Sequence, residues 1–69
     1  MSEPAPYSTW RHLRSGGTFT VLGVARCSTN GSEEDRSVIY VSHTFGELLY
    51  RQVSEFMDGR FVPVTVQRQ

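Results

Sequence analysis

A chain of 69 residues with a single cysteine, Cys27, has few ways of staying folded. Domains of this size bury only about 60% of the surface that their unfolded chains expose. Many small domains compensate with disulfides or a structural metal. One cysteine leaves no disulfide to form within these residues. The other soft-metal ligands, His12 and His43, complete no recognised zinc spacing with it. One domain is expected, with no cofactor, held by packing, by a partner or by self-association.

The lone cysteine suits a reducing compartment. Met1 to Pro6 is polar and contains proline, unlike a signal peptide. No stretch approaches the ~18 apolar residues of a membrane span. A cytoplasmic protein with no membrane partner is the expectation. Seven acidic residues balance seven basic ones, so long-range attraction to nucleic acid is weak. Every basic residue is Arg. Planar guanidinium forks suit bidentate anion contacts, and a genome-wide codon bias would produce the same composition.

Hydrophobic periodicity divides the chain. Residues 1–8 read as a disordered lead-in, 9–66 as the domain and 67–69 as a tail. Ser15-Gly16-Gly17 is a turn signal. Thr18 to Arg26 is β-branched and aromatic, a strand with Phe19, Val21, Gly23 and Ala25 on one face and Leu22 and Val24 on the other. Gly23 marks a bend or a close backbone approach. A long polar loop leads to a second strand, Ser37 to Thr44, with Val38 and Tyr40 opposite Ile39 and Val41. Phe45 to Met57 supports two readings. Its apolar residues make a helical stripe ending at Gly59. Alternatively, a strand at Leu48 to Arg51 precedes one helical turn, and Asp58-Gly59 turns the chain into the last strand. That strand, Phe61 to Val66, contains Pro63 and so belongs at an edge.

The order Trp10-x-His12, Arg14, Gly16 or Gly17, Phe19, Val21-Leu22-Gly23-Val24-Ala25, Ser28, Val38-Ile39-Tyr40, Thr44-Phe45-Gly46, Leu49-Tyr50-Arg51-Gln52 and Phe56 resembles the bacterial family called domain of unknown function 1653. That family carries aromatic-x-His, Lys-Gly, Tyr, L-G-x-A, His-Ser-Glu, V-V-Y, Leu-Tyr-Gly and W-V-R-P-x-x-M-F. The likeness runs from Trp10 to about Met57. The chain has one extra residue between His12 and Phe19 and one fewer before Arg51, and Leu49 and Gln52 stand for the family Trp and Pro. The resemblance implies an SH3-like small barrel of about five short strands with at most one short helical turn. It favours a strand at 48–51 and implies no activity.

Five residues are candidates for a ligand-binding cleft: His12, Arg14, Tyr40, Phe45 and Arg51. Arg51 lies among apolar residues, where a charge is costly unless it is paired or faces a cleft. An anion contact and an ion pair to Glu47 or Glu55 are the two readings. His12 has a ligand role or a backbone-satisfied structural one, and Tyr40 a groove role or a core one. Trp10 reads as a plug at one end. Cys27, beside Arg26 alone, reads as inert. No paired-carboxylate, Ser-His-Asp or Cys-His signature is present. The expectation is a non-catalytic module for an anionic or carboxylate-bearing small ligand or a partner peptide, as monomer or homodimer. Stacking of single-stranded nucleic acid on aromatic and Arg side chains is the alternative, and an enzyme using His12 is third.

Overall fold

Two turns, one after His12 and one after Ser42, fold the chain in the same way. In the computed structural model, which describes residues 3–31 and 34–65, His12 N–H donates to Gly17 O at 2.9 Å and Gly16 N–H donates to His12 O at 2.7 Å. Ser42, Gly46 and Glu47 repeat this pairing at 2.9 and 2.8 Å. Gly16 and Gly46 have φ of 75° and 64°, a region that glycine enters without Cβ strain. Each turn is also tied by the side chain that opens it. Ser42 Oγ accepts from Phe45 N–H at 3.2 Å, and His12 Nδ1 accepts from Ser15 N–H at 3.3 Å.

These turns help to fold β1 (Thr9–His12), β2 (Thr18–Arg26), β3 (Arg36–Ser42) and β4 (Leu48–Gln52) into a meander. The short helix α1 (Val53–Phe56) and β5 (Phe61–Pro63) follow. All five strands belong to one antiparallel sheet in the order β4-β3-β2-β1-β5. Among the described residues the chain is therefore mainly β with a single helical turn, as its sequence suggested. No helix among the described residues is long and apolar enough to cross a membrane.

The sheet is strongly curled. Strands spaced ~4.8 Å apart would put β3 and β5 about 14 Å apart in a flat sheet, and β4 and β5 about 19 Å apart. Instead the rings of Tyr40 on β3 and Phe61 on β5 lie 5.7 Å apart. The Arg51 guanidinium on β4 lies 5.5 Å from the centre of the Phe61 ring. Among the described residues no ladder joins β4 to β5, so the sheet's two edges approach through side chains alone. The enclosed core is Trp10, Val21, Val38, Tyr40, Val53, Phe56 and Phe61.

Curling needs a local bend, and β2 supplies one. Its register against β3 shifts between Val21 and Gly23, which leaves Leu22 as the extra residue of a bulge. The bulge corrects the simple alternation read from sequence. Val24 opposes buried Val38 and packs against the core, whereas Gly23 opposes Ile39 on the outer face. Gly23 marks a bend, not a close approach, since an added Cβ would meet nothing within 4 Å.

The stretch 45–57 contains no continuous helix. Burial alternates along β4, with Leu49 and Arg51 turned inward and Leu48 and Tyr50 outward. A helical stripe would have buried both Leu48 and Leu49. Tertiary pairing with β3 overrides that periodicity. Of the pattern's other apolar residues, Val53 and Phe56 are buried one turn apart on α1.

Both ends of the chain differ from the sequence reading. Residues 3–8, expected to have nothing to bury, are held along β2. Pro4 is buried, Tyr7 N–H donates to Val21 O at 2.6 Å, and Val21 N–H donates to Ser8 O at 2.8 Å. Trp10, expected as an end plug, sits in the core edge-on to Phe56 at 5.2 Å, with its Nε1–H donating to Ser8 Oγ. The last strand stops at exposed Pro63, while Val66 and the 67–69 tail lie outside the described residues.

Phe56 is fully buried, and Phe56→Ala is expected to cost about 3–5 kcal/mol in urea unfolding. Gly23→Ala is expected to stay within about 1 kcal/mol of the parent, because its site is open and its φ is ordinary.

Candidate functional site

Three elements converge on one cleft of about 530 Å³, lined by His12, Leu13, Arg14, Arg51 and Arg60. The β1–β2 turn contributes the first three residues. β4 contributes Arg51, and the turn before β5 contributes Arg60. Leu13 N–H donates to Arg60 O at 2.9 Å and locks the β1–β2 turn to the start of β5. Backbone hydrogen bonding thus fixes two walls of the cleft, and sheet curvature brings in the third.

Three guanidiniums border this space, with two acidic neighbours. Arg60 Nε pairs with Asp58 Oδ2 at 3.0 Å. Glu55 Oε1 lies 3.8 Å from Arg51 Nη1 and 3.6 Å from Arg60 Nη1. A charge-assisted hydrogen bond spans about 2.7–2.9 Å. Glu55 is therefore shared loosely between the two arginines and saturates neither. Such exposed pairs are worth about 0–1 kcal/mol each. Arg14 makes no ion pair among the described residues. Among the described residues, three guanidiniums against two carboxylates leave one positive charge uncompensated.

Arg51 is the most enclosed of the three, its side chain 29% exposed. Its guanidinium lies over the Phe61 ring, and its Nε–H points to Tyr40 Oη at 3.5 Å, the long limit of a hydrogen bond. The ring face attracts the cation while covering one side of it. Both sequence readings of Arg51 meet in this arrangement: it has a carboxylate neighbour in Glu55, and it lines a cleft.

His12 packs edge-on against Phe61 at 4.8 Å. A backbone N–H can only donate, so the bond from Ser15 N–H makes Nδ1 the acceptor. The ring proton then belongs on Nε2, which has no partner among the described residues. His12 is thus a turn-forming residue, equivalent to Ser42 in the other turn, that also lines the cleft. His43 is engaged differently. Thr18 and Thr20 hydroxyls lie 3.0 and 2.6 Å from its two ring nitrogens.

Of the five residues expected in the cleft, His12, Arg14 and Arg51 come together there. Tyr40 stands behind them in the core, 4% exposed, and reaches the site only through Arg51. Phe45 is elsewhere. It tops the β3–β4 turn, 83% exposed, beside a second groove of about 350 Å³ bordered by Phe19, Leu49 and Ser15. At about 3.3 Å per residue, the strand between them carries Arg51 well away from Phe45. Sequence reasoning missed Arg60. Nothing local marks it, and only the pairing of β5 with β1 brings it to His12.

No protein-family model, no curated protein and no solved structure matches this chain. The fold and cleft define it only as a small curled-sheet domain with a cationic pocket.

His12→Ala is expected to lower stability by about 0.5–1.5 kcal/mol through loss of the turn bond. His12→Ser, which restores the arrangement seen at Ser42, is expected to recover most of that loss. Chemical denaturation of the two variants checks this.

Proposed function

We propose that this domain is a non-catalytic binding module whose cleft receives a carboxylate from a small ligand or a partner peptide. The convergence of His12, Arg14, Arg51 and Arg60 on one cleft carries this reading. Their chemistry suits an anion: guanidinium forks meet carboxylate oxygens two at a time, and His12 Nε2–H adds a further donor. Charge balance favours a carboxylate over a phosphate dianion, because only one arginine charge is uncompensated. Leu13, exposed at the cleft, offers an apolar contact to whatever carries the carboxylate.

An NMR titration with a short peptide bearing a free C-terminal carboxylate, set against its amidated form, tests the proposal. The expected result is saturable shifts at His12 to Arg14, Arg51 and Arg60 with the free acid, and at least about ten-fold weaker binding of the amide. Arg51→Ala should weaken binding of the acid by a similar factor while the domain remains folded. Equal responses to the two peptides, or shifts away from the cleft, would defeat the proposal.

A second reading is single-stranded nucleic acid stacking on exposed aromatics, of which Phe45, Tyr7 and Tyr50 are the most exposed. Retention on immobilised single-stranded DNA that weakens between low and moderate salt would favour it. Absence of retention at both salts would remove it.

A further inference from the structure

We infer that this chain pairs with a second copy of itself through the free edge of β4, around a two-fold axis at Leu49. The ladder between β3 and β4 shows which backbone groups are free. Ser42 N–H donates to Glu47 O, so 42/47, 40/49 and 38/51 are the hydrogen-bonded pairs. Leu48, Tyr50 and Gln52 therefore direct their N–H and C=O groups away from β3. The β2–β3 ladder has matching parity: His43 N–H donates to Thr18 O, which places Val41 backbone groups toward β2.

β4 is an edge strand without the usual protection. It holds no proline, and its outward side chains include Leu48, 64% exposed, and Tyr50, 77% exposed. The other edge, β5, is three residues long and ends at Pro63, which cannot donate. The strand read from the sequence as running to Val66 falls partly outside the described residues, and the part within them is too short to pair with a copy of itself.

The side chains choose both the partner and the register. With the axis at Leu49, Leu48 lies opposite Tyr50 of the partner subunit on the outer face, twice by symmetry. On the inner face Arg51 lies opposite Glu47 of the partner subunit, also twice, and Leu49 meets its own copy. Moving the axis to Tyr50 sets Arg51 against leucine, and moving it to Arg51 sets two arginines against each other. Opposite charges across a strand pair stabilise and like charges oppose. Arg51 has donors to give, since Glu55 and Tyr40 approach it only at 3.8 and 3.5 Å. The strand is thus complementary to itself in backbone, apolar contact and charge.

Such a dimer holds by few hydrogen bonds and should be reversible. Sedimentation equilibrium up to about 1 mM is expected to show concentration-dependent dimers. Amide exchange at Leu48 and Tyr50 should slow as concentration rises, while Leu49 and Arg51, already paired with β3, stay unchanged. Glu47→Lys places like charges across the axis and should raise the dissociation constant at least ten-fold. Tyr50→Pro removes an edge donor without breaking a bond to β3 and should act likewise. If it unfolds the domain, Glu47→Lys, at an exposed turn residue, carries the test alone. A protein that stays monomeric throughout overturns the inference. So do dimers indifferent to Glu47→Lys, or exchange protection that appears elsewhere than at Leu48 and Tyr50.

Discussion

Phe61 is the point on which this structure closes. Its ring stacks on Phe56 at 4.2 Å with the planes 10° apart, and it meets Tyr40, Phe19 and His12 edge-on at 5.7, 5.8 and 4.8 Å. Through these contacts one three-residue strand binds α1, β3, β2 and β1 together. A sheet of five short strands exposes two faces, and a chain this short cannot cover both with separate layers. Rolling one face onto itself around Phe61 and Phe56 answers that constraint. Aromatic rings suit the task, since each buries a large area and pairs edge-on or in offset stacks.

The same rolling builds the cleft. Arg51 reaches His12 and Arg60 only because β4 approaches β5 over the Phe61 ring. Core and site therefore share a residue: Phe61 packs the interior with one face and carries a guanidinium nearby. The acidic groups present, Glu55 and Asp58, orient the arginines without saturating them. Cation, ring and loosely held carboxylate leave hydrogen-bond donors facing the cleft.

Much of the fold was legible residue by residue. Thr18 to Arg26 and Ser37 to Thr44 read as strands by composition, the second ending at Ser42 where the next turn begins, and Asp58-Gly59 turns the chain as its sequence suggests, with Gly59 at φ 104° and Asp58 Oδ1 accepting from Arg60 N–H at 3.2 Å. Leu48 to Gln52 was not decided by its own pattern, because its leucines fit a helical stripe as well as an alternating strand. The bulge at Leu22 was hidden for a related reason. A register shift of one residue leaves composition untouched while exchanging the faces of everything after it. In the cleft, His12, Arg14 and Arg51 could be picked out by type, but Arg60 gave no local signal and Phe45 suggested a nearness that strand length does not allow.

The sequence by itself determined that this domain would be small, free of internal disulfides, rich in β-structure and turned at its glycines. Those properties depend on residue type and on neighbours a few positions away. Tertiary structure alone decided that 48–52 is a strand, that β2 bulges and that three arginines from distant segments border one cleft. Each depends on cross-strand register and on curvature. Both are set by which side chains pack together across the whole sheet, so no local segment carries the information.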